Sequence, residues 1–261
     1  MDPQPLGAPV VTSSRDLAYL IAMGHRRYRM AARAAVDSLL GPGQFHGDVV
    51  LFTDKPMRMP GNVRVVVVDD PDLLAQPKRL KFRVGRFVDL AAYHRVMFFD
   101  ADLVSRGPIV ERIAEPLDAG GMVCTDDIAQ TVDMGLCCRC LEPAELAEHG
   151  GRSLGVNSGF FAARGDLIQG FLDVWEGIVD DCADREGEGF DQPGLNAAML
   201  QAALPVSMVR GLMWFPRRDP KGHYCLPNAP LVHFHGAGRS WSRTFRMRAF
   251  ARDAIAGRRL A

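Results

Sequence analysis

Short apolar runs alternate with segments of helical period along most of this chain. Asp16 to Gly24 (DLAYLIAMG) is almost continuously apolar and predicts a first strand. Tyr28 to Leu40 sets Ala, Val and Leu at helical spacing and stops at Gly41-Pro42-Gly43. Asp48–Thr53 (DVVLFT), Val63–Val68 (VRVVVV) and Val96–Phe99 (VMFF) predict three further strands. Between the last two, Lys78 to Tyr93 predicts one helix with Leu80, Val84, Phe87, Val88 and Ala91 on a single face. Farther on, Gly121–Cys124 and Asn157–Ala162 read as strands, and Asp166–Asp181 and Gln192–Ala203 as helices. Pro205–Leu212 and Pro230–His235 read as late strands.

Strands that are apolar along their whole length are buried on both faces, and their alternation with helices indicates a mostly parallel sheet. The class is therefore α/β, a central sheet flanked by helices in a single domain, with ligands expected outside the carboxyl ends of the strands. Residues 1–15, with three prolines and no period, read as a loose tail; 16–242 as the domain; 243–261 as a basic helix. Residues 128–155 are polar, Gly-rich and Cys-rich, and read as a long excursion over the site.

Composition narrows the classes of function. Lys plus Arg is 31 and Asp plus Glu is 31, so global charge offers no reason to expect nucleic acid as a partner. No apolar run approaches the roughly 20 residues needed to span a bilayer, and Met1–Ser14 lacks the basic and apolar regions of a signal peptide. A cytoplasmic location is the expectation. Cys137, Cys138 and Cys140 could ligate metal, but no second Cys/His pair stands at a usual zinc spacing, so they read as structural or incidental thiols.

The chemistry concentrates at Phe98-Phe99-Asp100-Ala101-Asp102-Leu103-Val104. Two carboxylates leave a buried strand with a small residue between them. In an extended segment such side chains point the same way, with backbones about 6.5–7 Å apart. Both can then converge on one hard cation such as Mn²⁺ or Mg²⁺, which binds through carboxylates and substrate phosphates. The same pattern also occurs as an exposed acidic turn at a strand end.

Four segments in order resemble family 8 glycosyltransferases, a family that includes glycogenins and bacterial lipopolysaccharide galactosyltransferases. The likeness runs from about Leu17 to Trp241 and is poorest at 128–155. It implies a GT-A (Rossmann-like) fold, a nucleotide-sugar donor such as a UDP-hexose, a small-molecule or glycan acceptor, and retention of donor configuration. In FFDADLV it implies Asp100 and Asp102 as metal ligands, with Ala101 beside the donor. Val156-Asn157-Ser158-Gly159 resembles the family's FNSG segment, whose Asn and Ser line the sugar pocket; Val156 departs from it. Asp191-Gln192-Pro193-Gly194-Leu195-Asn196 resembles its DQ…LN segment. There Asp191 would accept from sugar hydroxyls and Gln192 would lie near the anomeric carbon, the two being the catalytic candidates. Asp191 is also a good helix N-cap. His233-Phe234-His235-Gly236-Ala237-Gly238-Arg239-Ser240-Trp241 resembles H-x-x-G-x-x-K-P-W, with Arg239 in place of Lys and Ser240 in place of Pro. His233 is then the third metal ligand, with His235 its competitor; Gly236 is a donor-binding candidate and Arg239 would meet the diphosphate. Weaker likenesses put Met23 and Gly24 at the nucleoside, Tyr28 against the base and Lys81 on the donor. Asp126 or Asp127 borders the sugar pocket.

Two rival readings stand beside this one. An inverting enzyme would need a carboxylate base, for which Glu142, Glu145 and Glu148 are candidates. An inert nucleotide-sugar-binding protein would keep the binding residues without transfer. A self-glycosylating role would use Tyr224. From Arg239 onward there are seven arginines and one aspartate, with Trp241, Phe245 and Phe250 interleaved. That segment suits a helix lying on an anionic membrane, or a solvated helix that packs its aromatics on the domain.

Overall fold

A computed structural model describes residues 15–119, 121–126, 144, 155–186, 191–202, 204–218, 224–225 and 228–258. Apart from 144 and 155, the excursion at 128–155 lies outside them, with its cysteines and glutamates; so do Asp127 and residues 1–14.

The apolar runs are strands. β1 (Asp16–Ala22), β2 (Asp48–Thr53), β3 (Val63–Val67) and β4 (Arg95–Asp100) are parallel, with β1 between β2 and β4. β5 (Leu103–Ser105) follows a turn at Ala101–Asp102 and leaves this sheet. β6 (Met122–Asp126) and β7 (Val156–Arg164) complete its other half with β8 (Val206–Met208). Among the described residues, seven strands form the sheet in the order β3-β2-β1-β4-β7-β6-β8. Only β7 runs antiparallel to its neighbours, β4 and β6. That reversal brings the amino end of β7 beside the carboxyl end of β4, with Phe160 opposite Phe99. Residues far apart in sequence, Phe99 and Phe160 among them, thereby meet at one end of the sheet.

The two-residue period of the strands divides the core. Ala18, Leu20, Met97, Phe99, Phe160 and Ala162 face one layer, while Leu17, Tyr19, Val96, Phe98, Phe161 and Ala163 face the other. The first layer is covered by α1 (Arg26–Leu40) and by Ile113 and Leu117 of a short helix. The second is covered by Trp175 and Leu172 of a long helix and by a winding segment between Leu73 and Leu90.

That segment corrects the helix expected over Lys78–Tyr93. After α2 (Pro71–Ala75), the chain makes a 3₁₀ turn at Pro77–Arg79, one α turn at α3 (Leu80–Arg83), and further 3₁₀ turns at Val84–Arg86 and Leu90–Ala92. Leu80, Val84 and Val88 are buried as the pattern requires, but Ala91 is exposed. Successive 3₁₀ turns return every third residue to one side, so they present nearly the apolar spacing of a helix. Gly85 lies in this stretch, and a methyl there would meet the end of the Gln169 side chain on the long helix.

The remaining elements are α4 (Val110–Asp118), α5 (Gly165–Glu186), α6 (Asp191–Gln201), β9 (Met213–Trp214), β10 (Arg217–Arg218), β11 (Tyr224–Cys225), β12 (Leu231–His233) and α7 (Trp241–Ile255). β10 and β11 pair with each other. β12 lies between β5 and β9, antiparallel to β5 with His233 opposite Leu103. Ser240 caps α7 by accepting from the Arg243 amide. Met247, Phe250 and Ala251 of α7 are buried in the same core as α1, and Phe234 packs on Phe250 with ring centres 5.2 Å apart. The basic helix is thus seated on the domain, with Trp241 (41% exposed) and Phe245 (52% exposed) left outside. Among the described residues no helix is long and apolar enough to cross a membrane.

Candidate metal and donor site

Asp100 ends β4 and Asp102 follows in the turn, so the chain is not extended through both, as the spacing argument assumed. The turn and the β5–β12 pairing bring the carboxylates together with a third group instead. Donor atoms of Asp100, Asp102 and His233 lie within 4.8 Å of one another. His233 Nε2 is 3.0 Å from Asp102 Oδ1 and 4.0 Å from Asp100 Oδ2. The Gly236 amide donates to Asp102 Oδ2 at 2.8 Å, which fixes that carboxylate's rotation. His235 is exposed whereas His233 is 3% exposed, so His233 holds the inner position.

Gly159 forms the floor. A methyl there would meet Asn157 Oδ1 at 2.7 Å, His233 Cε1 at 3.0 Å and Asp100 Oδ2 at 3.2 Å. The space beside the carboxylates exists because this residue has no side chain. Phe215 stacks on the His233 ring with centres 5.3 Å apart. His233 Nδ1 is buried without a partner among the described residues.

Ionisation follows the same geometry. Burial acts to lower the His233 pKa, but the Asp102 and Asp100 carboxylates raise it overall. Asp102 is pulled down by His233 and the Gly236 amide against the effect of burial. Asp100 is raised, because lost hydration and the Asp102 charge outweigh Lys81. Two carboxylates and one imidazole at this spacing could hold a divalent metal ion. With Nε2 as ligand the imidazole proton sits on Nδ1, the atom without a partner.

Next to this group lies a second cluster. Lys81 is buried from the α3 turn, and its backbone carbonyl accepts the Tyr19 hydroxyl at 2.6 Å. Its ammonium meets Asp191 Oδ2 at 2.8 Å, Asp100 Oδ1 at 3.1 Å and the Ser158 carbonyl at 3.0 Å. It also sits over the Phe98 ring, 4.7 Å from the centre. Asp191 begins α6, and Trp175 donates to its carbonyl at 3.0 Å. Its side chain takes Lys78 on Oδ1 at 2.6 Å, and Lys81 and the Ser158 hydroxyl on Oδ2. Burial acts to raise this carboxyl, but the two lysines hold it far below the usual carboxylate range. Gln192 Oε1 accepts from the Ser158 amide at 3.2 Å, and Asn157 Oδ1 from the Gly159 amide at 2.8 Å. Asn196 ties β7 to α6 by bonding both the amide and the carbonyl of Val156.

Of the other expected residues, Tyr28 is brought against the turn that carries Arg239. Met23 is buried after β1, and the Gly24 carbonyl accepts from Arg29, which pairs with Asp54 at 2.7 Å. Tyr28 packs flat on the turn after His233: a methyl on Gly238 would meet its ring carbons at 2.0–2.7 Å. The Tyr28 ring therefore lies in close contact with the Gly238 backbone. Arg27 bonds the Gly238 carbonyl at 3.1 Å and stacks over Trp241. Arg239 is exposed on the same turn. Asp126 ends β6.

Lys78 and Asn196 carry no role in the sequence reading. Lys78 looks like any surface lysine until the fold sets it against a carboxylate 113 residues away. Asn196 stands in the resembling segment, but its side-chain partners are on β7. A scan of protein-family models finds no match to this chain, and a search of curated proteins finds none either.

Proposed function

We propose that the chain is a metal-dependent glycosyltransferase with a GT-A arrangement, similar to family 8 enzymes. It moves a hexosyl group from a nucleotide sugar, a UDP-hexose in the first instance, to a small-molecule or glycan acceptor with retention. The observation that carries this reading is the Lys81 ammonium, which joins a metal-binding carboxylate, Asp100, to a second buried carboxylate, Asp191. Transfer from a nucleotide sugar could use both anionic centres. One supports a cation on the leaving group and the other orients hydroxyls.

When bound, the metal neutralises charge that develops on the departing diphosphate. Asp100, Asp102 and His233 would hold it, and Arg239 adds a permanent cation on the adjoining turn. Asn157, Ser158 and Gln192 position the sugar at the amino end of β7. Asp191 is engaged on both oxygens, which suits a carboxylate that orients a hydroxyl better than one that attacks carbon. This favours front-side attack over a covalent intermediate on Asp191. Trapping of a glycosyl adduct on Asp191 would reverse that assignment. A peripheral contact with anionic membrane is proposed for the exposed Trp241–Phe245 pair and the arginines around it on α7.

The deciding experiment is thermal stability with Mn²⁺ and a nucleotide panel, for the wild type and Asp100→Ala/Asp102→Ala. UDP with Mn²⁺ is expected to stabilise the wild type by a few kcal/mol at about 100 times its Kd, and to leave the double variant unmoved. A wild type that responds to no nucleotide in the presence of metal would remove the reading.

A further inference from the structure

Two lysines meet Asp191, and their capacity to donate differs. An ammonium carries three N–H groups. Those of Lys81 are matched by Asp191 Oδ2, Asp100 Oδ1 and the Ser158 carbonyl, all at 2.8–3.1 Å, and its side chain is 5% exposed. Lys81 is a spent donor. Lys78 has one partner among the described residues, Asp191 Oδ1 at 2.6 Å, and its side chain is 55% exposed.

The turn that carries Lys78 is well anchored. Its neighbour Arg79 pairs with Asp180 of α5, and Arg83 pairs with Glu176 at 2.6 Å on the same helix. Pro77 opens the turn. A long side chain is thus delivered from a fixed base to one oxygen of a nearly buried carboxylate, with two of its N–H groups unused among the described residues. On the other side of Asp191, Oδ2 is already filled by Lys81 and Ser158. Any new hydroxyl that approaches Asp191 must use Oδ1, where Lys78 stands.

We propose that Lys78 and Asp191 act as one reading head for the donor sugar, Asp191 accepting from one hydroxyl and Lys78 donating to the oxygen of its neighbour. The substrate class is then a hexose with two free adjacent hydroxyls at this point. Lys78 is a specificity-determining residue and has no part in holding the metal. This inference rests on the transferase reading.

Lys78→Met keeps the stem and removes the donors, and Lys78→Arg returns donors to the same place. Three quantities separate the possibilities: Mn²⁺ affinity, the thermal shift with UDP and Mn²⁺, and the additional shift when UDP-glucose or UDP-galactose replaces UDP. Lys78→Met is expected to keep the first two at wild-type values and to lose the sugar increment. Its KM in donor hydrolysis is expected to rise about tenfold to a hundredfold, as for loss of a hydrogen bond to a charged group. Lys78→Arg is expected to recover part of both losses. A Lys78→Met protein that keeps the sugar increment within twofold overturns the inference and leaves the transferase reading standing. One that loses UDP or Mn²⁺ binding as well overturns it in favour of a structural role for Lys78. A wild type that ignores UDP and both UDP-hexoses removes the transferase reading and this inference with it.

Discussion

Asp191 holds two cations on a single carboxylate, and that arrangement has a signature in acid. Its pKa in the folded chain lies below the unfolded value, with burial opposing and Lys81 and Lys78 prevailing. The stabilisation is therefore present above the ordinary carboxylate range and is lost as pH falls through it, because the unfolded chain then takes a proton the folded one refuses. Between about pH 5 and 3 the wild type should lose Tm more steeply than Asp191→Asn, which has no carboxylate to titrate there. Parallel Tm curves by circular dichroism would contradict the pairing. His233 behaves in the opposite sense. Its pKa is raised despite burial, by Asp102 and Asp100, so a proton competes with metal to a higher pH than for a free imidazole. Mn²⁺ affinity measured by electron paramagnetic resonance should tighten as pH rises from about 6 to 8. A flat profile would mean that His233 does not ligate.

At the scale of elements, the reversed strand β7 does the positioning. Its first residues lie against the last residues of β4, and Gly159 keeps the gap between them clear. Gly159→Ala should cost about 1–3 kcal/mol of stability, as other overpacked positions do. It should also weaken Mn²⁺ binding at least tenfold, because the methyl meets Asp100 and His233 directly. Calorimetric titration with Mn²⁺ checks this, and an unchanged affinity would show that the site opens elsewhere. This scale also shows what was legible in sequence. β1, β2, β4 and β7 are buried on both faces and announce themselves as apolar runs. The 78–93 segment misleads because 3₁₀ turns and an α-helix return apolar residues at nearly the same interval. The order of strands is invisible to periodicity, which tells faces and not neighbours. Asp100 and Asp102 are visible because they are local. His233 is visible only through the likeness of its surrounding segment, and Lys78 through nothing at all. Its partner is brought to it by the sheet.

Across the whole molecule, α7 is part of the core and cannot be removed cleanly. Phe250 is 2% exposed and packs on Phe234 in the turn beyond His233. Phe250→Ala should cost about 3–5 kcal/mol. Trp241→Ser/Phe245→Ser removes rings that are 41% and 52% exposed, together with the Arg27 contact on Trp241, so its Tm should fall by much less than that of Phe250→Ala. The proposed membrane contact is therefore tested with that double variant in flotation on vesicles of phosphatidylserine and phosphatidylcholine. Equal flotation of variant and wild type would end the idea without confusion from unfolding. The arrangement of β5 against β12 has one more result. Asp102 lies in the middle of the chain and the Gly236 amide that binds it lies 134 residues later, near the end. An ion shared by Asp100, Asp102 and His233 would close that long loop like a buckle, fastening the last part of the chain to the centre of the sheet. Loading and unloading metal would then change how firmly the tail of the protein is closed as well as what the site can bind, and a chelator would act on both at once.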